Sequence, residues 1–447
     1  MIYELSKKAE NEVRKICDEY EIYISEEKSI ELDSRKDELS FAKENIEKGI
    51  GIRVIKDNKI GFAFTTNMEK IADTAMQALK NTKLNQDDES YEFSSINKVP
   101  TIKKTYDKQI NDLSLEEYSE FLKDIINKSI ESGCEVTGAG FSAEEMKSLI
   151  INSNGVSIEN EGTGYGVGLS VTIQEDGKIA TAYNSESSRF FDIDGEKLAN
   201  EVCNLSKNSL NTKSIETGNY SVVLDYYAAT GLLQTFMSAF DGENVRRQRS
   251  ILQNKIGEEI VNPSLSIIDN PLLEKGMNTC KCDGEGTPSQ KTKLVKDGIL
   301  NSFIYDIYTA NKANTKSTSN GYRNYLTTPK ISLSNLCLEF KEMTDISEID
   351  NGVLTTSVLG AHTANPISGD FSVEASNAFK IKNGELIEPI NKAMISGNIF
   401  ELMKTCEGLK SKIKQYGPYI LPKLLVHNLK VVGQWYKKMN KETLSNN

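Results

Sequence analysis

The sequence predicts an α+β protein, with a duplicated strand-and-helix domain over residues 1–215 and a β-rich antiparallel domain over residues 216–447. Three features predict it. Apolar residues repeat at helical spacing in some stretches and at every second position in others. The order of these stretches occurs twice before residue 216, in 1–84 and again in 108–215. From Gly218 onward glycines and short alternating runs multiply while helical periodicity thins out. At 447 residues the chain also exceeds what one hydrophobic core usually organises.

Ile2, Leu5, Ala9, Val13, Ile16, Cys17 and Tyr20 recur at three- and four-residue intervals. That spacing predicts an opening amphipathic helix of about five turns. Residues 21–32, 38–46, 50–56 and 59–65 alternate as strands, with Asp57-Asn58 as the tight turn between the last two. Met68, Ile71, Ala72, Ala75, Met76 and Leu79 then mark a second amphipathic helix, for which Asn67 is the expected cap. Residues 85–107 are polar, contain Pro100 and lack a period, so they read as a connection.

A third helix runs along Leu115, Tyr118, Phe121, Leu122, Ile125, Ile126 and Ile130, opened by Ser114 and Glu117 at capping-box spacing. Strands follow at 137–144, 148–153, 155–159, 165–175 and 178–184, with turns at Ser153-Asn154-Gly155 and Asp176-Gly177. A helix over 196–210 closes the set. Residues 53–65 and 170–182 share one layout of strand, turn and strand, which is the sequence basis for a duplication. Beyond 216, residues 220–224 read as a strand, and Ala229, Leu232, Leu233, Phe236, Met237 and Phe240 as a helix face. Strands are expected at 301–308, 330–340, 352–359, 371–380 and 424–432.

The formal net charge of −11 disfavours a nucleic-acid partner, because a phosphate backbone would be repelled. Arg246, Arg247 and Arg249 stand beside Glu243 and read as a salt-bridged loop. Residues 1–14 carry charge throughout, with no apolar core of a secretory signal. No apolar run reaches the ~20 residues a bilayer needs. The expectation is a cytoplasmic protein with no membrane contact. Seven cysteines, an odd number mostly far apart, fit reduced thiols in a core, and only Cys280 and Cys282 are close enough to suggest a clip.

Chemistry is best sought at the junction of strand 220–224 with the following helix, since such a junction holds groups rigidly over a sheet. The stretch LLQTFMSAFDGENVRRQRSIL over 232–252 has no histidine, and its carboxylates, Asp241 and Glu243, come late. It is followed in order by CDGEGTP (282–288), VKDGILNSFIYDIYTANK (295–312), STSNGYRNYLTTP (317–329), SGDFSVEASNAFKIKNGEL (368–386) and ISGN (395–398). This ordered set resembles the TldD/PmbA family, whose older label is modulator of DNA gyrase. In its zinc-bearing TldD-type members the helix carries HExxxH, with two histidine ligands, a glutamate base and a cysteine from farther on. Here the matching positions are Gln234, Thr235 and Ala239. The resemblance therefore implies the PmbA (TldE) branch, a chain with no catalytic residue and no metal of its own. Zinc is expected in a TldD-like partner, in a heterodimer that degrades or matures unfolded peptides, or else the chain pairs with itself as a homodimer.

The resemblance also marks Thr318, Asn320 and Arg323 as candidate substrate-binding residues, and the small-residue loop at Gly369 and Asp370 is a further candidate from its composition. Arg323 suits a peptide carboxylate or an internal salt bridge, and the glycines suit close backbone approach or a tight turn. His362 and His427, the two histidines, lie 65 positions apart and read as a loop hydrogen-bonder and a strand residue. Three rival readings remain open at this level: a self-sufficient peptidase using Cys, Asp or Glu groups, a regulatory binding protein, and an orphaned homodimer that has lost activity.

Overall fold

The computed structural model describes residues 2–95 and 98–433; the last part of the expected second domain, 434–447, lies outside them. The first domain is built on one antiparallel sheet of six strands. They are Glu19–Arg35 (β1), Glu38–Lys56 (β2), Lys59–Thr65 (β3), Glu135–Asn152 (β4), Ser157–Glu175 (β5) and Lys178–Ser188 (β6). Their spatial order is β3-β2-β1-β4-β5-β6, with β1 and β4 in register from Glu21 opposite Asn152 to Asp33 opposite Gly140. Helices Ile2–Val13 (α1) and Ile71–Thr82 (α2) flank the first three strands in sequence, and Leu115–Glu131 (α3) and Gly195–Asn208 (α4) flank the second three. Helix, three strands and helix thus occur twice, and the sheet reads the same from either edge.

Alternation along β1 decides which face the helices cover. Ile22 and Ile24 pack with Ala9, Val13, Ile71 and Ala75 of α1 and α2. Leu32, on the same side, joins Tyr118, Leu122 and Leu198 of α3 and α4. The intervening Glu21 and Tyr23 point to the opposite face, toward the second domain.

Two of the local signals for turns and caps hold as expected. Ser114 and Glu117 form a reciprocal capping box. Asp57 and Asn58 have φ of 53° and 57°, the left-handed pair that a two-residue hairpin requires. Other expectations are corrected. The opening helix stops at Val13, because Cys17 and Tyr20 reach the same core from the turn and from β1, which prolongs the apolar spacing past the helix end. Asn67 does not cap α2; its side chain accepts from the backbone N–H of Glu69 in a turn, and the helix begins after Lys70 without a side-chain cap. Polar or glycine-bearing interruptions at 47–49, 145–147 and 160–164 look like strand ends in the sequence. Strands β2, β4 and β5 run straight through them, because the polar groups there meet partners outside the helix-covered core.

In the second domain Gly218–Leu224 (β7) leads into helix Tyr226–Met237 (α5), which buries Ala228, Ala229, Leu232, Leu233 and Phe236 against Val222, Leu224, Val353, Phe371 and Val373. β7 pairs on one side with Asn351–Leu359 and on the other with Leu424–Gly433. Asp370–Lys382 and Ala393–Asn398 complete the circuit between those two, so five strands close into a ring. A second sheet is built around Leu265–Asp269, Thr292–Lys296 and Leu336–Phe340. The expected antiparallel pattern is broken by three parallel pairings, of β7 with Asn351–Leu359, Leu336–Phe340 with Tyr419–Leu421, and Met343–Thr344 with Glu407–Leu409. Long crossovers such as the one through α5 make the first of these possible. Residues 301–308 form no long strand either. Asp306 accepts from the Thr309 N–H at 2.8 Å and starts helix Ile307–Lys312, so the aromatic alternation there belongs to a helix entry. Among the described residues no helix is long and apolar enough to cross a membrane.

Gly61 on β3 lies under α2, where an added Cβ would stand 2.0 Å from the Ala78 carbonyl oxygen and 2.8 Å from the Thr82 nitrogen. Both are backbone atoms that cannot swing aside. Gly61→Ala is expected to cost about 1–3 kcal/mol of stability, read as a lowered urea midpoint at unchanged m-value; an unmoved midpoint would show that α2 is not seated on β3 this tightly.

Candidate functional site

Glu21 on β1 and Arg53 on β2 are direct cross-strand neighbours on the face turned away from the helices. The Arg53 guanidinium donates through Nε to Glu21 Oε1 at 2.8 Å and through Nη2 to Oε2 at 2.9 Å, a two-bond fork. From the second domain Arg323 brings Nη2 to 2.7 Å from the same Oε1, an ion pair by distance without hydrogen-bond alignment. The Arg323 Nε and Nη1 find no hydrogen-bond partner, and the guanidinium lies over the Tyr23 ring at 4.7 Å. Arg53 Nη2 also stands 3.5 Å from Glu285 Oε1. All four charged side chains are buried.

The loop carrying CDGEGTP holds the acidic side of the cluster. Asp283 accepts from the backbone N–H groups of Glu285, Thr287 and Gly321 at 2.9–3.0 Å. Glu285 accepts from the Ile307 N–H at 2.8 Å. Burial pushes both carboxyls up from their ordinary range. Burial likewise lowers Arg323, whereas in Arg53 the same desolvation is outweighed by Glu21 and Glu285, which hold it up.

The candidate binding residues separate into two places. Thr318 and Asn320 are buried and spent inside the second domain: Thr318 Oγ1 donates to Asn320 Oδ1 at 2.7 Å, and Asn320 Nδ2 donates to Asp269 Oδ2 at 2.9 Å and to the Ser332 carbonyl at 2.8 Å. Arg323 alone of the set lines a cavity of about 250 Å³ between the domains, together with Tyr23, Arg189, Cys280 and Tyr322. Arg189 there donates to the carbonyls of Gly276, Thr163 and Thr279 at 3.0, 2.9 and 3.3 Å. Gly369 ends the loop after the turn Ala361–Thr363, which packs beside α5, and Asp370 begins the strand Asp370–Lys382 that follows it. Gly369 has φ of +83° and the Phe400 ring over it, while Asp370 accepts from Asn398 and Ser368, which hold its carboxyl below the usual range.

On α5 Gln234 is exposed and Thr235 half-buried, and Ala239 is buried in the 3-10 turn Ser238–Phe240 just beyond the helix. His362 is exposed in the turn Ala361–Thr363. His427 stands in a bulged strand, 3.1 Å from Ser221 Oγ and 3.4 Å from Glu407 Oε1. Cys280 and Cys282 are free thiols held by Ser289, Tyr322 and Asn160, and burial pushes both up, which leaves them poor nucleophiles. Arg246 and Arg247 both bind Glu243 at 2.6 Å, which makes the arginine run a salt-bridged helix end.

A larger cavity, about 710 Å³, opens between the same sheet face and the hairpin around Gly417. Its floor is glycine. Gly140 stands opposite Gly168, Gly138 opposite Ser170 and Gly166 opposite Ser142. None of these four glycines has a positive φ, and a Cβ would meet nothing closer than 3.0 Å. The fold therefore does not demand glycine there, and a bare strand face is what such residues leave for another backbone to approach. Glu31, Asp33 and Glu186 supply carboxylates to the lining, and Tyr183 and Tyr416 supply rings. The cluster around Glu21 and Asp269 is the part that sequence reasoning missed. A lone arginine inside the apolar run 50–55 was its one visible signal.

Asp269 gives the cluster a pH signature. Burial raises its carboxyl to about 6 although Asn320 and Ser334 donate to it. An unfolded aspartate titrates near ~3.9. The folded chain thus holds that proton more tightly, so this group's contribution to stability rises as pH falls through 6 and is complete near ~4. From pH 7 to 4 the stability of the native chain relative to Asp269→Asn is expected to grow by roughly 2–3 kcal/mol; denaturation curves showing a difference flat with pH would exclude it.

Three family models cover most of the chain: PmbA/TldA metallopeptidase domain 1 over residues 20–81, the central domain over 108–210 and the C-terminal domain over 217–433. An uncharacterised protein of Methanocaldococcus jannaschii is 37% identical over 90% of this chain and 93% of its own. The metalloprotease PmbA of Escherichia coli is 23% identical over 93% and 92%. The crystal structure of TldE from Thermococcus kodakarensis superposes with a TM-score of 0.89 at 25% identity, covering 96% of this chain and all of that one. With both halves of the first sheet and the whole ring-bearing domain matched in order, the chain belongs to the PmbA/TldD family of metallopeptidases.

Proposed function

We propose that this chain is the subunit without a zinc site in a metallopeptidase assembly acting on unfolded or precursor peptides. Hydrolysis then occurs at the zinc of a TldD-like partner, and this chain supplies part of the peptide-binding chamber. The observation that carries the reading is the chemistry of α5. Where related chains offer imidazoles and a carboxylate, it presents the amide of Gln234 and the hydroxyl of Thr235, followed by the methyl of Ala239 in the 3-10 turn Ser238–Phe240 that continues it. Zinc in a catalytic site takes three protein ligands drawn from imidazole, thiolate and carboxylate. His362 is near the helix but alone, and among the described residues no three His, Cys, Asp or Glu side chains gather closely enough for a metal. The residues present do not fit zinc.

Peptide handling is supported by the glycine floor. An extended chain laid on Gly140 and Gly168 meets bare strand instead of side chains, which gives contact with little dependence on sequence. The carboxylates of Glu31, Asp33 and Glu186 leave the lining acidic.

Two measurements test the proposal. Purified alone, the chain is expected to hold substoichiometric zinc and to leave an unstructured peptide intact, and to co-purify with an HExxxH-bearing relative co-expressed from the same source. Stoichiometric zinc with chelator-sensitive cleavage by the lone chain would replace this reading with that of a self-sufficient peptidase. Separately, Gly140→Val with Gly168→Val is expected to weaken peptide binding by the assembly on the order of tenfold, ~1.4 kcal/mol, with the unfolding midpoint little changed; unaltered binding would remove the floor from the chamber.

A further inference from the structure

The cavity of about 250 Å³ has the first sheet as its floor and the second domain as its roof. Strand register builds the floor. Tyr23, Ser25 and Glu27 on β1 stand opposite Ile150, Ser148 and Met146 on β4, on the face that the helices leave free. Met146 in turn stands opposite Gly162 on β5. A Cβ on Gly162 would lie 2.4 Å from Nη1 of Arg189, so the missing side chain is the room through which that arginine passes. The roof is formed by residues 277–284 and 322–324.

Two buried guanidinium groups in this lining lack an acid of their own. Arg189 donates to carbonyl oxygens, one from the first domain and two from the second, and makes no ion pair among the described residues. Arg323 shares Glu21 with Arg53, which already holds both oxygens of that carboxylate, and none of its three nitrogens makes a hydrogen bond. The other acids of the lining do not supply what is missing. Asp283 is spent on three backbone N–H groups, and Glu26 on Lys48 at 2.8 Å. Burial, with Glu144 and Glu47 nearby, pushes Glu27 toward its protonated form, and Glu161 is exposed. Buried donors left over in a native protein call for an ordered water or an ion, and a guanidinium is shaped for a carboxylate.

The remaining walls are apolar and polarisable: Met146, Ile150, Met277, Cys280 and Cys282. Met146 is 48% exposed, so it serves no core, and thioether side chains fit themselves to flat apolar bodies. The volume is that of about eight waters at ~30 Å³ each, below the range of roughly 300–1,000 Å³ in which drug-sized ligands are held. We propose that this cavity binds a small free monocarboxylic acid with a compact apolar body, the carboxylate directed to Arg323 and the body lying against Met146 and Met277. Glu27 and Glu161 oppose a second negative charge, which separates such an acid from phosphate. The ligand touches both domains, so its binding fastens the sheet to the loop 277–284 and stabilises the folded chain.

The site needs neither zinc nor a peptidase partner, so it stands or falls apart from the functional reading. Titration calorimetry on the purified full chain compares benzoate, benzamide, acetate and inorganic phosphate. Benzoate is expected to bind and to raise the melting temperature. Benzamide, with the body but not the charge, and acetate, with the charge but not the body, are each expected to bind at least tenfold more weakly, and phosphate not at all. Arg323→Gln is expected to lose benzoate binding. Because that change also takes a cation from Glu21, Met146→Glu is the second variant: it spares the charge cluster, adds a carboxylate to the wall, and is expected to weaken benzoate at least tenfold at an unchanged ligand-free unfolding midpoint. No benzoate binding, benzamide bound as tightly as benzoate, or a folded Met146→Glu chain that binds like the native one would each overturn the proposal. So would a tetrapeptide ending in phenylalanine that binds as tightly as benzoate, since the ligand would then be a chain end and not a free acid.

Discussion

The relation between the two domains depends on one buried carboxylate. Glu21 is held by a guanidinium of its own sheet, Arg53, and approached by a guanidinium from the opposite domain, Arg323. Taking these charges out of water costs several kcal/mol per ion, a cost offset only where geometry and further hydrogen bonds are good. They are good for Arg53 and incomplete for Arg323, none of whose three guanidinium nitrogens makes a hydrogen bond although Nη2 stands 2.7 Å from Glu21. Apolar packing would hold the domains together without recording their alignment. A charge cluster of this kind does record it, because a shift of about an ångström leaves Glu21 facing one cation instead of two. Burial pushes Asp283 and Glu285 toward their protonated forms, which reduces the excess of acid over base that the same space would otherwise contain.

This alignment organises everything on that side of the sheet. The helix-covered face is ordinary apolar packing, whereas the opposite face is divided between the charge cluster, the small cavity beside Arg323 and the glycine-floored cavity under the hairpin around Gly417. Two kinds of work therefore share one surface. Near Glu21 the sheet is fastened to the second domain; near Gly140 it is kept bare. Glycines in mid-strand weaken a sheet, and the length of β4 and β5, eighteen and nineteen residues, offsets that by extending the ladder well past the bare region.

What could be read in the sequence was what neighbouring residues decide among themselves. The Ser114 to Glu117 box, the Asp57-Asn58 turn and the missing histidines of α5 are each contained within a few positions. What could not be read depends on partners far along the chain. Arg53 stands in an apolar run for a reason supplied by Glu21, thirty-two positions earlier, and by Glu285, more than two hundred later. Strands β2, β4 and β5 run on through charged or glycine residues that look like turns in the sequence, because the partners of those residues, Tyr325 for Glu47, Lys28 and Tyr106 for Glu145 and Cys282 for Asn160, lie far along the chain. Thr318 and Asn320 were marked by the family segment that contains them, yet their side chains complete a buried network around Asp269. Marking a segment did not distinguish the residue that lines a cavity, Arg323, from those that brace it.

The ring of the second domain has a consequence for how the protein is made. Its first strand, β7, closes the circuit by pairing with Leu424–Gly433, some two hundred residues downstream. On the ribosome β7 emerges long before that closing strand exists, so until then it has its apolar side chains and one ladder edge exposed. The six-stranded sheet has no such wait, since its last strand ends at Ser188. Vectorial synthesis thus presents a sheet able to form while its intended neighbour is still incomplete, and nascent second domains are the stage at which a holding chaperone would have most to shield.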